Sequence, residues 1–239
     1  MTRIIRNITL IKVACLLSFA MVCVLSSCGS DEEDADVVQW RTEQVAYYQN
    51  IYAKAQSEIA TATAQGKECK DWYIFTAYDK QNTGDSNDNI VVQVLNEKKH
   101  SENPDSNYAA IPYYLDKVRL FYRGYTGAAS TNKLQLEDGT MVGYQFETSW
   151  NGPFITDLDY TTAADKLLYK PSEMSISSLT VGFATAVMHM HVGDKWRVYI
   201  PYQLGYGSST SGTIKAYSTL VFDIYLVAIG RNGETMPNI

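Results

Sequence analysis

An α+β fold is what this sequence predicts, with a curved antiparallel β-sheet wrapped around a short helix and an amphipathic helix ahead of the sheet. Three patterns carry the prediction. Apolar residues recur at steps of three and four over residues 37–64, which is helical spacing. They then alternate at steps of two in several short runs, which is the spacing of strands with one buried face. Between two of those runs, LTVGFATAVMHM at residues 179–190 reads as a short helix that fills the concave face of the sheet. With 239 residues, 46% of them hydrophobic, the chain can bury a sizeable core in one domain or a domain with an appendage.

The elements follow in chain order. Arg3, Arg6 and Lys12 make a basic start, and residues 13–25 are apolar but short for a membrane span, so residues 1–27 read as a secretory signal peptide. Leu25-Ser26-Ser27-Cys28 resembles the lipobox of bacterial lipoproteins, which makes Cys28 the lipidation site and its lipid the membrane contact. An ordinary cleaved signal or an uncleaved anchor is the plainer alternative. Each lipid methylene buried in the membrane contributes about 0.8 kcal/mol to anchoring. Residues 28–36 form an acidic tether with nothing to bury. Acid directly after a lipidated cysteine also resembles the export signal of some Gram-negative lipoproteins, so the expected location is the cell envelope, as an outer-membrane lipoprotein facing either the periplasm or the outside.

The formal charge is −6, and loss of Arg3, Arg6 and Lys12 with the leader takes it three lower, which argues against a nucleic-acid partner. Cys15 and Cys23 lie in the leader and Cys28 is the lipid site, so Cys69 has no intramolecular partner and no disulfide framework is available. A buried, inert Cys69 is the simplest reading.

Residues 37–66 form the N-terminal helix, with the stripe Val45, Tyr48, Tyr52, Ala55, Ile59 and Ala62, and Gly66 as its stop. The stripe is short for an independent coiled coil. A stalk or homodimer contact and a helix lying on its own domain are both open. Residues 67–239 form the globular domain. Its strands are expected at 72–77 and 90–95, with a polar turn over 81–89, and at 118–122, 141–148, 195–200 and 219–228. Trp196, Val198 and Ile200 alternate with Lys195, Arg197 and Tyr199, which places one set inside and the other outside.

Four motifs in order carry a family resemblance. GFATAVMHMHVGDKWRVYIPYQLGYG, residues 182–207, offers Gly182-Phe183, Met190-His191-Val192-Gly193 and Ile200-Pro201 through Tyr206-Gly207. STLVFDIYLVAI at residues 218–229 is a closing strand, and VRLFYRGYT and EDGTMVGYQFETS lie upstream. Over roughly residues 90–229 the chain resembles the FKBP-type peptidyl-prolyl cis-trans isomerases. The resemblance implies an FKBP-like sheet around a short helix, no cofactor, and proline-containing polypeptides as substrates. It also allows a dimerising N-terminal helix, as some exported members have.

Carried over by alignment, the pocket is lined by Tyr122, Phe146, Leu179, Thr180, Phe183, Tyr206, Ile214 and Phe222, with Glu147 at the family's usual aspartate. Taken singly, such residues are ordinary core; as an ordered set they describe a cavity. Phe183 would floor it under the proline ring, with Phe146 and Phe222 as walls. The Thr180 backbone N–H and the Tyr206 hydroxyl would hold substrate carbonyls, Leu179 and Ile214 would line the substrate channel, and Glu147 and Tyr122 would form a polar rim. Phe183 stands where tryptophan is usual, the 208–217 loop lacks the family's double proline, and residues 151–177 run longer than usual.

The reaction needs no nucleophile. Rotation about the amide meets a barrier of about 18–20 kcal/mol because resonance must be broken, and an apolar cavity that favours the twisted form lowers it. His189 and His191 lack a third ligand, so no metal site is expected, and no phosphate loop or Ser/His/Asp set is present. A lipid-anchored isomerase helping exported proteins fold is the leading expectation. A catalytically weak peptide- or protein-binding module of the same fold is the alternative, and a purely structural role ranks last.

Overall fold

The period-two runs pair into one antiparallel sheet in the computed structural model of the chain, which describes residues 34–96, 110–150 and 170–238. Cys28, the predicted leader and most of the acidic tether lie outside those residues. The chain divides into Met1–Ala35 and Asp36–Ile239, and the architecture below is that of the second part.

The strands are β1 (Trp72–Thr76), β2 (Asn89–Asn96), β3 (Lys117–Thr126), β4 (Leu134–Gln135), β5 (Met141–Val142), β6 (Gln145–Thr148), β7 (Ser172–Ser175), β8 (Lys195–Ile200) and β9 (Leu220–Gly230). Among the described residues the main sheet runs β1-β2-β8-β9-β3-β6, and β7 shares β3 with β6. The two lie end to end: β7 pairs with Lys117 to Leu120 of β3, and β6 with Arg123 to Tyr125. β4 and β5 make a separate small hairpin.

The short helix α2 (Val181–Val187) packs on one face of this sheet, as its run of small and apolar residues requires. Gly182 lets it approach, since a Cβ there would strike the Ile200 side chain of β8. The core it closes joins Phe183, Val187 and Met190 to Ile90, Leu120, Val198 and Ile224. Each such side chain contributes about 1.5–3 kcal/mol by leaving water.

The other face is also covered, which corrects the expectation of a single buried face. The long helix α1 (Ala35–Ala64) lies across it and packs Tyr48 and Ala55 against Trp72, Val91, Tyr125, Tyr199 and Val221. Every residue of β8 is buried, including Lys195, Arg197 and Tyr199, which alternation had placed outside; of these three, Tyr199 packs in the α1 cluster and Lys195 Nζ lies 4.9 Å over the Tyr225 ring. Arg197 is tolerated because Asp223 of β9 takes its Nε at 2.6 Å and Asp138 takes an NH1 hydrogen at 2.6 Å, so the buried cation has its charge matched.

The predicted stripe on α1 is likewise corrected in part. Tyr48 and Ala55 are buried, but their buried companions are Trp40 and Gln44, while Val45, Tyr52, Ile59 and Ala62 are only partly covered. Gln44 is a polar residue that hydrophobic spacing excludes, yet its amide donates to the Gly127 carbonyl at 2.9 Å and accepts from the Thr219 N–H at 3.1 Å. Gly66 ends the helix at φ +68°, with Lys67 N–H donating back to the Ala62 carbonyl at 3.0 Å.

The single strand expected over 141–148 is two, β5 and β6. The chain crosses close to β3 between them: Gly143 N–H donates to the Thr126 carbonyl at 2.7 Å, and a Cβ at Gly143 would meet Thr126. The crossing hands the strand from β4 to β3 and tolerates no side chain. The predicted helix at 179–190 is regular only over α2.

Candidate active site

β3, β6, β9 and α2 converge on a cluster of aromatic rings on the α2 side of the sheet. Alternation on β3 sends Tyr122 and Gly124 to that side, and Phe222 of β9 sits directly across from Gly124. Phe146 comes from β6 and Phe183 from the first turn of α2. The Phe183 and Phe222 rings meet edge to face at 4.8 Å, Phe146 meets Phe222 at 5.6 Å and 85°, and Tyr122 meets Phe183 at 6.3 Å and 86°. Perpendicular rings at these separations place positive edges on negative faces.

Gly124 makes the space for this packing. A Cβ at that position would lie 2.6 Å from Phe146 Cζ and 2.8 Å from Phe222 Cε1, closer than real side chains approach. Phe183 is 4% exposed and Phe222 6%, while Phe146 is half-buried, so Phe146 is the ring of the three that solvent reaches most.

The polar rim is a hydrogen-bonded pair. The Tyr122 hydroxyl donates to Glu147 Oε1 at 2.5 Å, and Glu147 itself is exposed. Burial pushes the Tyr122 phenol well above its ordinary value of 10.0, and the Glu147 carboxylate pushes it further. Tyr122 is therefore a protonated donor at physiological pH. Its backbone is fixed by Ser149, whose Oγ accepts from the Tyr122 N–H at 2.9 Å.

The remaining predicted residues divide between the core around these rings and its exterior. Leu179 and Ile214 belong to the same apolar core, and Ile214 is 5% exposed. Thr180 is the N-cap of α2, its carbonyl accepting from Ala184 N–H at 2.9 Å. Tyr206 stands apart at 39% exposure, just after a single 3-10 turn at Tyr202–Leu204, although its phenol is close enough to add to the upward push on Tyr122. Of the nine residues expected to line the pocket, Tyr122, Phe146, Leu179, Phe183, Ile214 and Phe222 share one apolar core and Glu147 is hydrogen-bonded to Tyr122, while Thr180 caps α2 and Tyr206 is exposed.

Three residues that shape the site were not singled out from sequence. Gly124 was visible only as the glycine of VRLFYRGYT. Tyr144, in the β5–β6 crossing, donates its hydroxyl to the Thr213 carbonyl at 2.5 Å and so ties the 208–217 loop beside Ile214. Ser149 lay in the quoted EDGTMVGYQFETS but carried no role. His189, by contrast, is held structurally, with its ring 4.1 Å from Phe75 and Nδ1 2.8 Å from the Thr185 carbonyl. Among the described residues, no three His, Cys, Asp or Glu side chains gather into a metal-binding set.

A sequence model of the family described as FKBP-type peptidyl-prolyl cis-trans isomerase matches residues 116–227. The chain is 38% identical over 73 residues to the macrophage infectivity potentiator of Trypanosoma cruzi, covering 29% of this chain and 37% of that protein. It is 31% identical over 121 residues to an FKBP-type 22 kDa peptidyl-prolyl cis-trans isomerase of Escherichia coli, covering 50% of this chain and 44% of that one. The chain thus spans about two fifths of the length of these curated relatives. A peptidyl-prolyl cis-trans isomerase structure from Pseudomonas syringae aligns at 20% identity with a TM-score of 0.40, over 77% of this chain and 96% of that one.

Proposed function

We propose, from the match of residues 116–227 to the FKBP-type peptidyl-prolyl cis-trans isomerase model, that the chain belongs to that family and catalyses rotation about Xaa-Pro bonds of polypeptides in the cell envelope. The observation that carries the reading is the ring cluster of Tyr122, Phe146, Phe183 and Phe222 built around Gly124. Such a surface accepts a proline ring and strips water from the neighbouring amide. Water stabilises the polarised, planar amide, so its removal raises the ground state relative to the twisted one.

Phe183 floors the cavity and Phe146 and Phe222 wall it. The Tyr122 hydroxyl, oriented by Glu147, presents a donor beside the rotating bond. Leu179 and Ile214 complete the apolar lining, and the Thr180 N–H and the exposed Tyr206 hydroxyl hold flanking substrate carbonyls. No proton is transferred and no covalent bond forms; binding energy from the flanking contacts is spent on the twist.

The basic and apolar leader and the Leu25-Ser26-Ser27-Cys28 motif support export and lipid anchoring at Cys28, with an outer-membrane location, and the acidic tether would space the domain from the bilayer. A homodimer through α1 would have to use its solvent face, because Trp40, Gln44, Tyr48 and Ala55 are occupied by the chain's own sheet.

A binding module without turnover is the second reading, favoured by the smaller Phe183 floor. Proline-limited refolding of a client protein separates the two. Acceleration above the uncatalysed rate, lost in Phe183→Ala, supports the enzyme; an intact fold that binds prolyl peptides without accelerating refolding supports the module.

A further inference from the structure

α1 crosses the face of the sheet opposite the aromatic cavity, yet it reaches the loop that seats Ile214. That loop, residues 205–219, leaves the 3-10 turn at Tyr202–Leu204 and returns into β9. Near its end Tyr217 takes φ 62°, the one non-glycine residue with positive φ among those described. A side chain bearing a Cβ adopts this conformation at a cost of about 1–2 kcal/mol, so its surroundings must hold it there.

The surroundings are largely α1. The Arg41 guanidinium lies 4.5 Å over the Tyr217 ring, and Tyr202 meets the same ring edge-on at 5.4 Å. Trp40 Nε1 donates to Ser218 Oγ at 3.3 Å, Ser218 Oγ donates to the Lys215 carbonyl at 2.7 Å, and Lys215 Nζ sits 4.9 Å over the Trp40 ring. One turn along, Thr219 Oγ1 donates to the Gln44 carbonyl at 2.8 Å. Residues 215–219 are thus held from the helix side, immediately after Ile214 enters the core. Within the loop, Ile214 is tied to Ser211 by paired backbone bonds of 2.9 and 3.0 Å, and Tyr217 N–H donates to the Gly207 carbonyl at 2.9 Å.

We propose that Trp40 and Arg41 are positioning residues for the isomerase site: through Lys215, Tyr217 and Ser218 they fix the loop that presses Ile214 against the aromatic cavity and presents Tyr206 at its margin. The proposal rests on the function given above. It makes the helix that follows the tether part of the substrate-binding apparatus, although it touches no substrate. Loss of the grip lets Tyr217 relax from its left-handed conformation and Ile214 leave its seat, so peptide affinity falls while the cavity floor, made by Phe183 and Phe222, is unchanged.

The test uses the full chain in detergent, with Arg41→Ala, Trp40→Ala, Arg41→Lys and, as a control elsewhere on α1, Tyr48→Phe, which frees the Asn89 and Ser86 carbonyls. Two quantities are read: amide exchange at Ile214 and Tyr217, and kcat and KM on a prolyl tetrapeptide. Arg41→Ala and Trp40→Ala should each speed both amides and raise KM by about fivefold, the loss of one cation–π contact, with kcat within about twofold. Arg41→Lys should restore both within about twofold, because a cation still sits over the ring. Unchanged exchange at Ile214 and Tyr217 in both alanine variants, or an equal effect from Tyr48→Phe, overturns the proposal. A wild-type chain with no isomerase activity overturns the proposed function instead, and the exchange data alone then judge the grip.

Discussion

Replacing Gly124 by alanine tests the construction of the cavity more sharply than replacing any ring in it. The new methyl carbon would lie 2.6 Å from Phe146 Cζ and 2.8 Å from Phe222 Cε1, where a contact of about 3.5–4 Å is comfortable. Something must move by about 1 Å. Phe222 is 6% exposed on a strand paired on both sides, and Phe183 braces it at 4.8 Å. Phe146 is half-buried on β6, a short edge strand, so it is the ring that yields. Overpacking of this kind costs about 1–3 kcal/mol of stability. Displacing one wall of the cavity should lower kcat/KM by about 10- to 100-fold, or roughly 1.4–2.8 kcal/mol of transition-state binding. Urea unfolding and a protease-coupled prolyl peptide assay read the two effects. A second change, Phe146→Leu, should recover most of the stability of Gly124→Ala but not its rate. If Gly124→Ala unfolds within about 0.5 kcal/mol of the wild type and isomerises at its full rate, the rings are not packed as described.

Three further outcomes are expected. Tyr122→Phe removes the donor to Glu147 and should cost about tenfold in kcat/KM with little loss of stability; in the wild type, the raised phenol predicts no rate change from Tyr122 ionisation up to pH 10. Asp223→Asn leaves Arg197 buried with half its compensation and Arg123, 3.6 Å away, without this partner, and should cost about 3–5 kcal/mol in urea unfolding; a loss below about 1 kcal/mol refutes the role given to the pair. Asp116 is buried, which pushes its carboxyl up, but the N–H groups of Tyr113 and Asn232 and the Arg231 guanidinium outweigh burial and hold it below the ordinary 3.8. Since the folded value is the lower one, its stabilisation is complete above 3.8 and is lost as pH falls further. Asp116→Asn should therefore lower Tm at neutral pH, by about 1–3 kcal/mol of stability, and flatten the acid limb of a Tm profile.

The sequence made β8 legible residue for residue, because Val, Ile and Trp alternate there with longer polar residues. What alternation misjudged was the second face. Lys195 and Arg197 look like solvent residues, and only tertiary pairing shows that Asp223 and Asp138 satisfy Arg197 and that the Tyr225 ring receives Lys195 at 4.9 Å. Gln44 is the same lesson on a helix: its burial is decided by the carbonyl of Gly127 and the amide of Thr219, which lie far away in sequence. Of the pocket, the rings were legible through ordered motifs. Gly124 has no side chain to announce itself, and the grip of Trp40 and Arg41 joins segments about 175 residues apart in a way no local pattern records.

The position of β2 has a practical consequence. The family match begins at residue 116, but β8 borders β2 on its other flank, with Val91 opposite Tyr199 and Gln93 opposite Arg197. A fragment trimmed to residues 116–227 would bare the N–H and carbonyl groups of β8, a six-residue strand without proline in which Trp196, Val198, Tyr199 and Ile200 outnumber Lys195 and Arg197. Such an edge recruits its own kind, so the trimmed fragment should cluster or precipitate, whereas fragments that begin ahead of α1 keep that flank closed.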